Sequence, residues 1–179
     1  MLSGNQQTLN EIKPITEFTN TYYHPKIEIE LNNLCKEKNI KLFNNEMSPI
    51  TNQTIDFIDV INIQCFELNI GNKEEIIISC NPFNKNQYNK YKNWKLLITT
   101  PSIFIQYLAS QLSRNIIEGL FKLIHIYANK HTISDIHIST NGEYLKIQFY
   151  SIGKNTFNLW LSNDIGTKLI HYIKLISHI

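Results

Sequence analysis

The sequence predicts an α+β protein built as two small mixed domains joined by a long helix. Three observations carry this reading. Apolar residues make up 42% of the 179 residues and charged residues 18%, which is enough material for packed cores and too little charge for a disordered chain. Two stretches of strand-like pattern flank glycine turns, one at Gly71 and one at Gly142. Between them, apolar residues recur every four positions from Leu108 to Ile124. The boundary is expected at Thr100-Pro101, giving domains over 1–100 and 101–179.

In chain order, the opening stretch to about Asn20 is polar, and a partly helical pattern then runs through Ile27, Leu31, Leu34 and Ile40 and predicts one helix. From Phe57 the period shortens. Strands are expected on either side of Gly71-Asn72 as a hairpin or a near neighbour of one, with Ile76, Ile77 and Ile78 in the second. Asn81-Pro82 stops that strand, a polar segment follows, and a further strand covers 95–99. Thr100-Pro101-Ser102 has the chemistry of a helix start, with a hydroxyl to accept an orphan N–H and a proline tolerated in the first turn. One long helix is expected from there to about Ala128, its apolar stripe a core face with no cofactor role.

The second domain alternates more clearly. Ile136 and Ile138 share one strand face, taken as the core side, and Asp135 and His137 the other. Asn141-Gly142 supplies a type I′ turn, after which Leu145, Ile147 and Phe149 alternate with Lys146 and Gln148. A turn at Gly153-Lys154-Asn155 leads to a third strand over 156–161, and Ser162-Asn163-Asp164 caps a last helix carrying Ile165, Leu169 and Ile173. Helix, three-stranded antiparallel sheet and helix make a compact α+β unit.

Composition narrows the chemistry. The chain holds 31 Ile, 23 Asn and 16 Lys against 2 Ala and a single arginine, Arg114, a bias that suggests an AT-rich coding genome and explains the asparagine clusters without a binding role. A formal net charge of +2 is too small a field to argue for a nucleic-acid partner. Lys85, Lys90, Lys92 and Lys95 interleave with Tyr88, Tyr91 and Trp94, but without arginine they read as a solvated loop. The 3 cysteines and 6 histidines show no paired ligand spacing, so no metal site is expected and the setting reads as reducing and cytoplasmic. No apolar run approaches the roughly 18 residues of a membrane span. None of the 6 glycines opens a GxxxxGK[ST] phosphate loop, so no catalytic residue is assigned and this chain alone is not expected to hydrolyse ATP. Asp135 and His137 share a face, yet no nucleophile accompanies them in sequence, and the pair is read as structural.

A helix, then Ile133-Ser134-Asp135-Ile136-His137-Ile138, then a turn and an alternating strand closely resembles the second N-terminal domain of the hexameric ATPases of type II secretion and type IV pilus assembly. The resemblance covers roughly 55–179. Residues 168–177 look like the segment leading toward the catalytic domain, and the two strands, Asn81-Pro82-Phe83, a further strand and Pro101 are similar to the end of the first N-terminal domain. It implies a PAS-like second domain within a noncatalytic N-terminal region that docks a motor to an inner-membrane platform or bitopic assembly protein and contributes ring contacts. It also implies self-association through a catalytic domain outside this chain, no cofactor here, ATP and Mg in the intact motor, and a cytoplasmic place peripheral to the inner membrane. Ser134, Asp135, Ile136 and His137 are then a structural motif, and Lys85, Lys90, Lys92 and Lys95 the expected partner-docking surface.

The family places arginines that reach ATP phosphates on the strand after this motif, then an acidic residue and glycine. At the matching positions stand Lys146, Gln148, Tyr150 and Ser151. Lys146 and Gln148 are thus nucleotide-proximal by resemblance, but lysine lacks the bidentate fork and glutamine the charge, so phosphate contact is weakened. Two other readings stay open: a freestanding adaptor that kept both domains and lost the motor, and an unrelated small ligand-binding module.

Overall fold

A computed structural model describes residues 7–8, 25–37, 39–40, 42–43, 57, 60–61, 65–69, 75–81 and 94–178. In chain order the elements are β1 (Gln7–Thr8), α1 (Pro25–Glu37), β2 (Cys65–Asn69), β3 (Glu75–Ser79), β4 (Lys95–Ile98), α2 (Pro101–Leu112), α3 (Ile116–Lys130), β5 (Asp135–Thr140), β6 (Tyr144–Ser151), β7 (Lys154–Ser162) and α4 (Asn163–Ile176). The protein is mixed α+β, and it divides into two compact units within α2, between Phe104 and Ile105.

The first unit is organised by a mixed sheet in the order β1-β4-β3-β2. β2 and β3 pair antiparallel, as the sequence predicts, with Cys65 opposite Ser79 and Asn69 opposite Glu75. β3 and β4 run parallel, from Ile76 opposite Lys95 to Ser79 opposite Ile98. Because successive strand residues point to opposite faces, three buried isoleucines in a row, Ile76, Ile77 and Ile78, mean that β3 is covered on both sides. α1 buries Leu31, Leu34 and Cys35, spaced i, i+3, i+4 on one helical face. Leu31 and Cys35 join Cys65, Ile77 and Leu96 in one core, with Trp94 packed partly buried against it. The Phe43 N–H donates to the Ile98 carbonyl at 2.8 Å and its carbonyl accepts from the Thr99 hydroxyl at 2.9 Å, so the polar groups at the end of β4 stay paired.

The predicted single long helix is two helices. It breaks at 113–115, where short polar side chains offer the backbone other partners. The Asn115 carboxamide accepts from the N–H groups of Ile117 (2.9 Å) and Glu118 (3.4 Å) and caps α3. The Ser113 hydroxyl accepts from the Asn115 N–H at 3.2 Å and donates to Glu118 at 2.9 Å. Glu118 also pairs with Lys122 at 2.6 Å, and Lys122 and then Ser113 hold its carboxyl below the usual carboxylate range. Past the break the two helices approach closely: a Cβ added to Gly119 would lie 2.1 Å from the Ala109 carbonyl oxygen.

The second unit is completed by the antiparallel sheet β5-β6-β7 and by α4. Leu145, Ile147 and Phe149 of β6 and Phe157, Leu159 and Leu161 of β7 are buried on one face, with Tyr127 of α3 set against Phe149 (5.0 Å) and Phe157 (4.6 Å) between ring centroids. α4 packs on β6 and β7, and it comes close enough at Gly166 that an added Cβ would meet the Leu145 Cβ at 2.4 Å.

Three local expectations are corrected. The β5–β6 turn is not type I′: only Gly142 is left-handed, at φ 93°, while the Asn141 carboxamide accepts from the N–H groups of Glu143 (3.2 Å) and Tyr144 (3.0 Å). The type I′ conformation sits instead at Ile152 and Gly153, with φ of 50° and 72°, so β7 begins at Lys154 rather than past Asn155. Ser162 occupies the N-cap of α4 but makes no side-chain capping bond.

Candidate functional site

Strand alternation gives the second sheet two unlike faces. The helix side takes the apolar residues of β6 and β7. The other side receives Tyr144, Lys146, Gln148 and Tyr150 of β6, Asn158 and Trp160 of β7, and Asp135, His137 and Ser139 of β5. Register sets these in rows across the strands: Ser139, Lys146 and Trp160 in one, His137, Gln148 and Asn158 in the next. The row order depends on a bulge between Phe149 and Tyr150, which shifts β7 by one residue and brings Trp160 onto this face.

Neighbouring side chains on the face interact. The Lys146 ammonium lies over the Trp160 ring, 5.1 Å from its centroid. The Gln148 amide donates to the Tyr150 hydroxyl at 3.2 Å, and the His137 ring lies 4.8 Å from the Tyr150 ring. The Asn155 side-chain amide donates to the Asn158 side-chain Oδ1 at 3.0 Å. All the residues of β5 are exposed, and Lys146, Gln148, Tyr150, Asn158 and Trp160 are half-buried. Such a surface offers π-faces, amide donors and acceptors and a single lysine, which suits a flat polar ligand or a protein surface better than a polyphosphate.

The structure places the expected site residues unevenly. Lys146 and Gln148 occupy this face side by side along β6. Asp135 and His137 lie on it too, beside a tyrosine. Ser134 acts just ahead of β5, where its N–H (2.8 Å) and hydroxyl (3.1 Å) both donate to the Tyr150 carbonyl and pin the start of the edge strand. The Ser151 hydroxyl ties the same end, donating to the Thr132 carbonyl at 3.2 Å. Ile136 departs from its expected core position: it stays 38% exposed and Ile138 39%, on the edge strand, while α4 packs on β6 and β7 and Tyr127 of α3 on Phe149 of β6. Lys85, Lys90 and Lys92 lie outside the described residues, and Lys95 begins β4 of the first unit, opposite Thr8 and Ile76. Sequence reading missed Trp160, Tyr150 and Asn158 as partners of Lys146, Gln148 and His137. The alternation in Tyr144-Leu145-Lys146-Ile147-Gln148 was the available signal for the face.

Among the described residues no group of three or more His, Cys, Asp and Glu side chains could hold a metal ion. The three cysteines are buried in the first unit, where burial raises the Cys35 thiol, and burial and then neighbouring Cys65 raise that of Cys80, which disfavours the thiolate at neutral pH. Among the described residues no helix is long and apolar enough to cross a membrane. A scan against protein-family models and a search of curated proteins each found no match.

Proposed function

We propose that this chain is the noncatalytic N-terminal region of a pilus assembly or type II secretion ATPase, docking the motor to inner-membrane platform proteins and contributing to ring contacts. The carrying observation is the order α3-β5-β6-β7-α4 with Ser134-Asp135-Ile136-His137 opening the edge strand and with Lys146 and Gln148, matched to the family's arginines by resemblance, on the open sheet face. In this reading the second unit is the PAS-like domain and its open face meets the catalytic domain of the same or a neighbouring subunit. ATP and Mg belong to that domain. The protein is cytoplasmic and held at the inner membrane through its partners, with the first unit and the stretch from Lys85 to Lys95 as the docking part.

The substitutions temper what the face does there. Lys146 is engaged with Trp160 and Gln148 with Tyr150, so the face supports packing against protein more than a grip on phosphate. This also suits the motorless adaptor, which has no phosphate to hold. A photo-crosslinking residue placed at Gln148 in the protein expressed in its own cells tests both. Adducts with a secretion-type catalytic domain support the motor reading; adducts only with a membrane platform protein, on a chain near 21 kDa, support the adaptor. Adducts with neither class overturn both.

One observation favours the ligand-binding module as a second reading. Trp160 with Lys146 above it, and the His137 and Tyr150 rings set against each other elsewhere on the same face, are surfaces on which a planar ring can stack. Calorimetric titration with ATP and with cyclic dinucleotides separates the readings, since micromolar binding that is lost in Trp160→Ala supports the module and heat at the blank level rejects it.

A further inference from the structure

β5 is an edge strand without the usual protection. It ends the sheet on one side, its six residues Asp135–Thr140 are all exposed, and it carries no lysine, proline or bulge. The opposite edge, β7, starts with Lys154 and packs against α4. The main chain of β5 also has bonding capacity to spare. The Asn141 N–H donates to the Tyr144 carbonyl at 3.2 Å, closing the hairpin. Ladder alternation from that pair turns the N–H and C=O groups of Ile136, Ile138 and Thr140 away from β6.

We infer that β5 pairs antiparallel with β5 of a second copy of this chain, about a two-fold axis passing through His137. Three features point to a copy of itself. A two-fold interface must be self-complementary, and this strand is: reversed about His137, Ile136 faces Ile138 and Asp135 faces Ser139. In that register the outward main-chain groups of Ile136 and Ile138 meet those of the other copy's Ile138 and Ile136. The four half-exposed isoleucines then close the open flank of both apolar layers. Asp135 lies diagonal to His137 of the other copy, and a net charge of only +2 opposes self-association little. The pairing joins two three-stranded sheets into one of six and keeps both open faces on the same side. It does not rest on the secretion-motor reading. Neighbours in a six-fold ring are not related by a two-fold axis, so the pair links chains that are not ring neighbours.

Sedimentation equilibrium of the full chain is expected to give a weak dimer, with a Kd on the order of 100 µM for so small an interface. His137→Glu and His137→Lys each set like charges across the axis and should weaken the dimer at least about tenfold. An equimolar mixture of the two variants should dimerise again, because every pair then joins Glu to Lys. His137 is exposed, so both variants should keep the wild-type circular dichroism spectrum. His137→Cys gives a second reading independent of charge: mild oxidation should trap a covalent dimer, and Asn158→Cys, off the axis on the open face, should not. Wild type that stays monomeric at about 1 mM overturns the inference and leaves β5 to a strand from another protein. A dimer that survives both charge variants, or a mixture that fails to restore it, also overturns it.

Discussion

The two sheets solve burial differently. β3 reads Glu-Ile-Ile-Ile-Ser and its isoleucines are buried on both faces, beside a parallel neighbour, so they have no outward role. β6 reads Tyr-Leu-Lys-Ile-Gln-Phe-Tyr-Ser, with every second residue under a helix and the rest on a face built from rings, amides and a lysine. A sheet covered on both faces can be varied only within its packing. A sheet covered on one face keeps a second surface free to change.

The comparison can be broken most sharply with a buried charge. Ile77→Asp and Ile147→Asp each place an unpaired carboxylate at a fully buried site, and each should cost at least about 4 kcal/mol and unfold its own unit. Ile136→Asp, on the open flank, should cost about 1 kcal/mol or less, and urea titrations that found the three equal would remove the distinction. The helix layer beneath the one-faced sheet is tested by Gly119→Ala. Its added Cβ cannot coexist with the Ala109 carbonyl, so about 2 kcal/mol should be lost and the second unit should melt first. The smallest effect has the opposite sign. Ile152 is β-branched, left-handed and 93% exposed, so Ile152→Asn should raise stability by about 1 kcal/mol, read as a higher melting temperature.

Much of the fold was legible because burial writes a period into the chain. Three isoleucines between turn signals marked β3, and strict alternation marked β6 and its inner face. The helix break was hidden because Leu112 and Ile116 keep the four-residue repeat in phase across it; Ser113 and Asn115 were the signal, and their capping chemistry outweighs the stripe. The site was half legible. Alternation put Lys146 and Gln148 on one face of β6, but register carried back from Ser151 opposite Lys154 without a bulge sets Lys146 against Leu159 instead of Trp160. A one-residue irregularity beside a turn leaves no compositional mark. The exposure of Ile136 and Ile138 was equally hidden, because alternation names the face of a strand and says nothing of how far a helix layer reaches across it.

The chain has 2 tryptophans, and the division within α2 gives one to each unit: Trp94 against the first core, Trp160 on the open sheet face beneath a lysine. Each unit therefore carries its own fluorophore. Replacing one tryptophan leaves an emission signal that reports a single unit, Trp94 following the packing of its core and Trp160 whatever settles on its face.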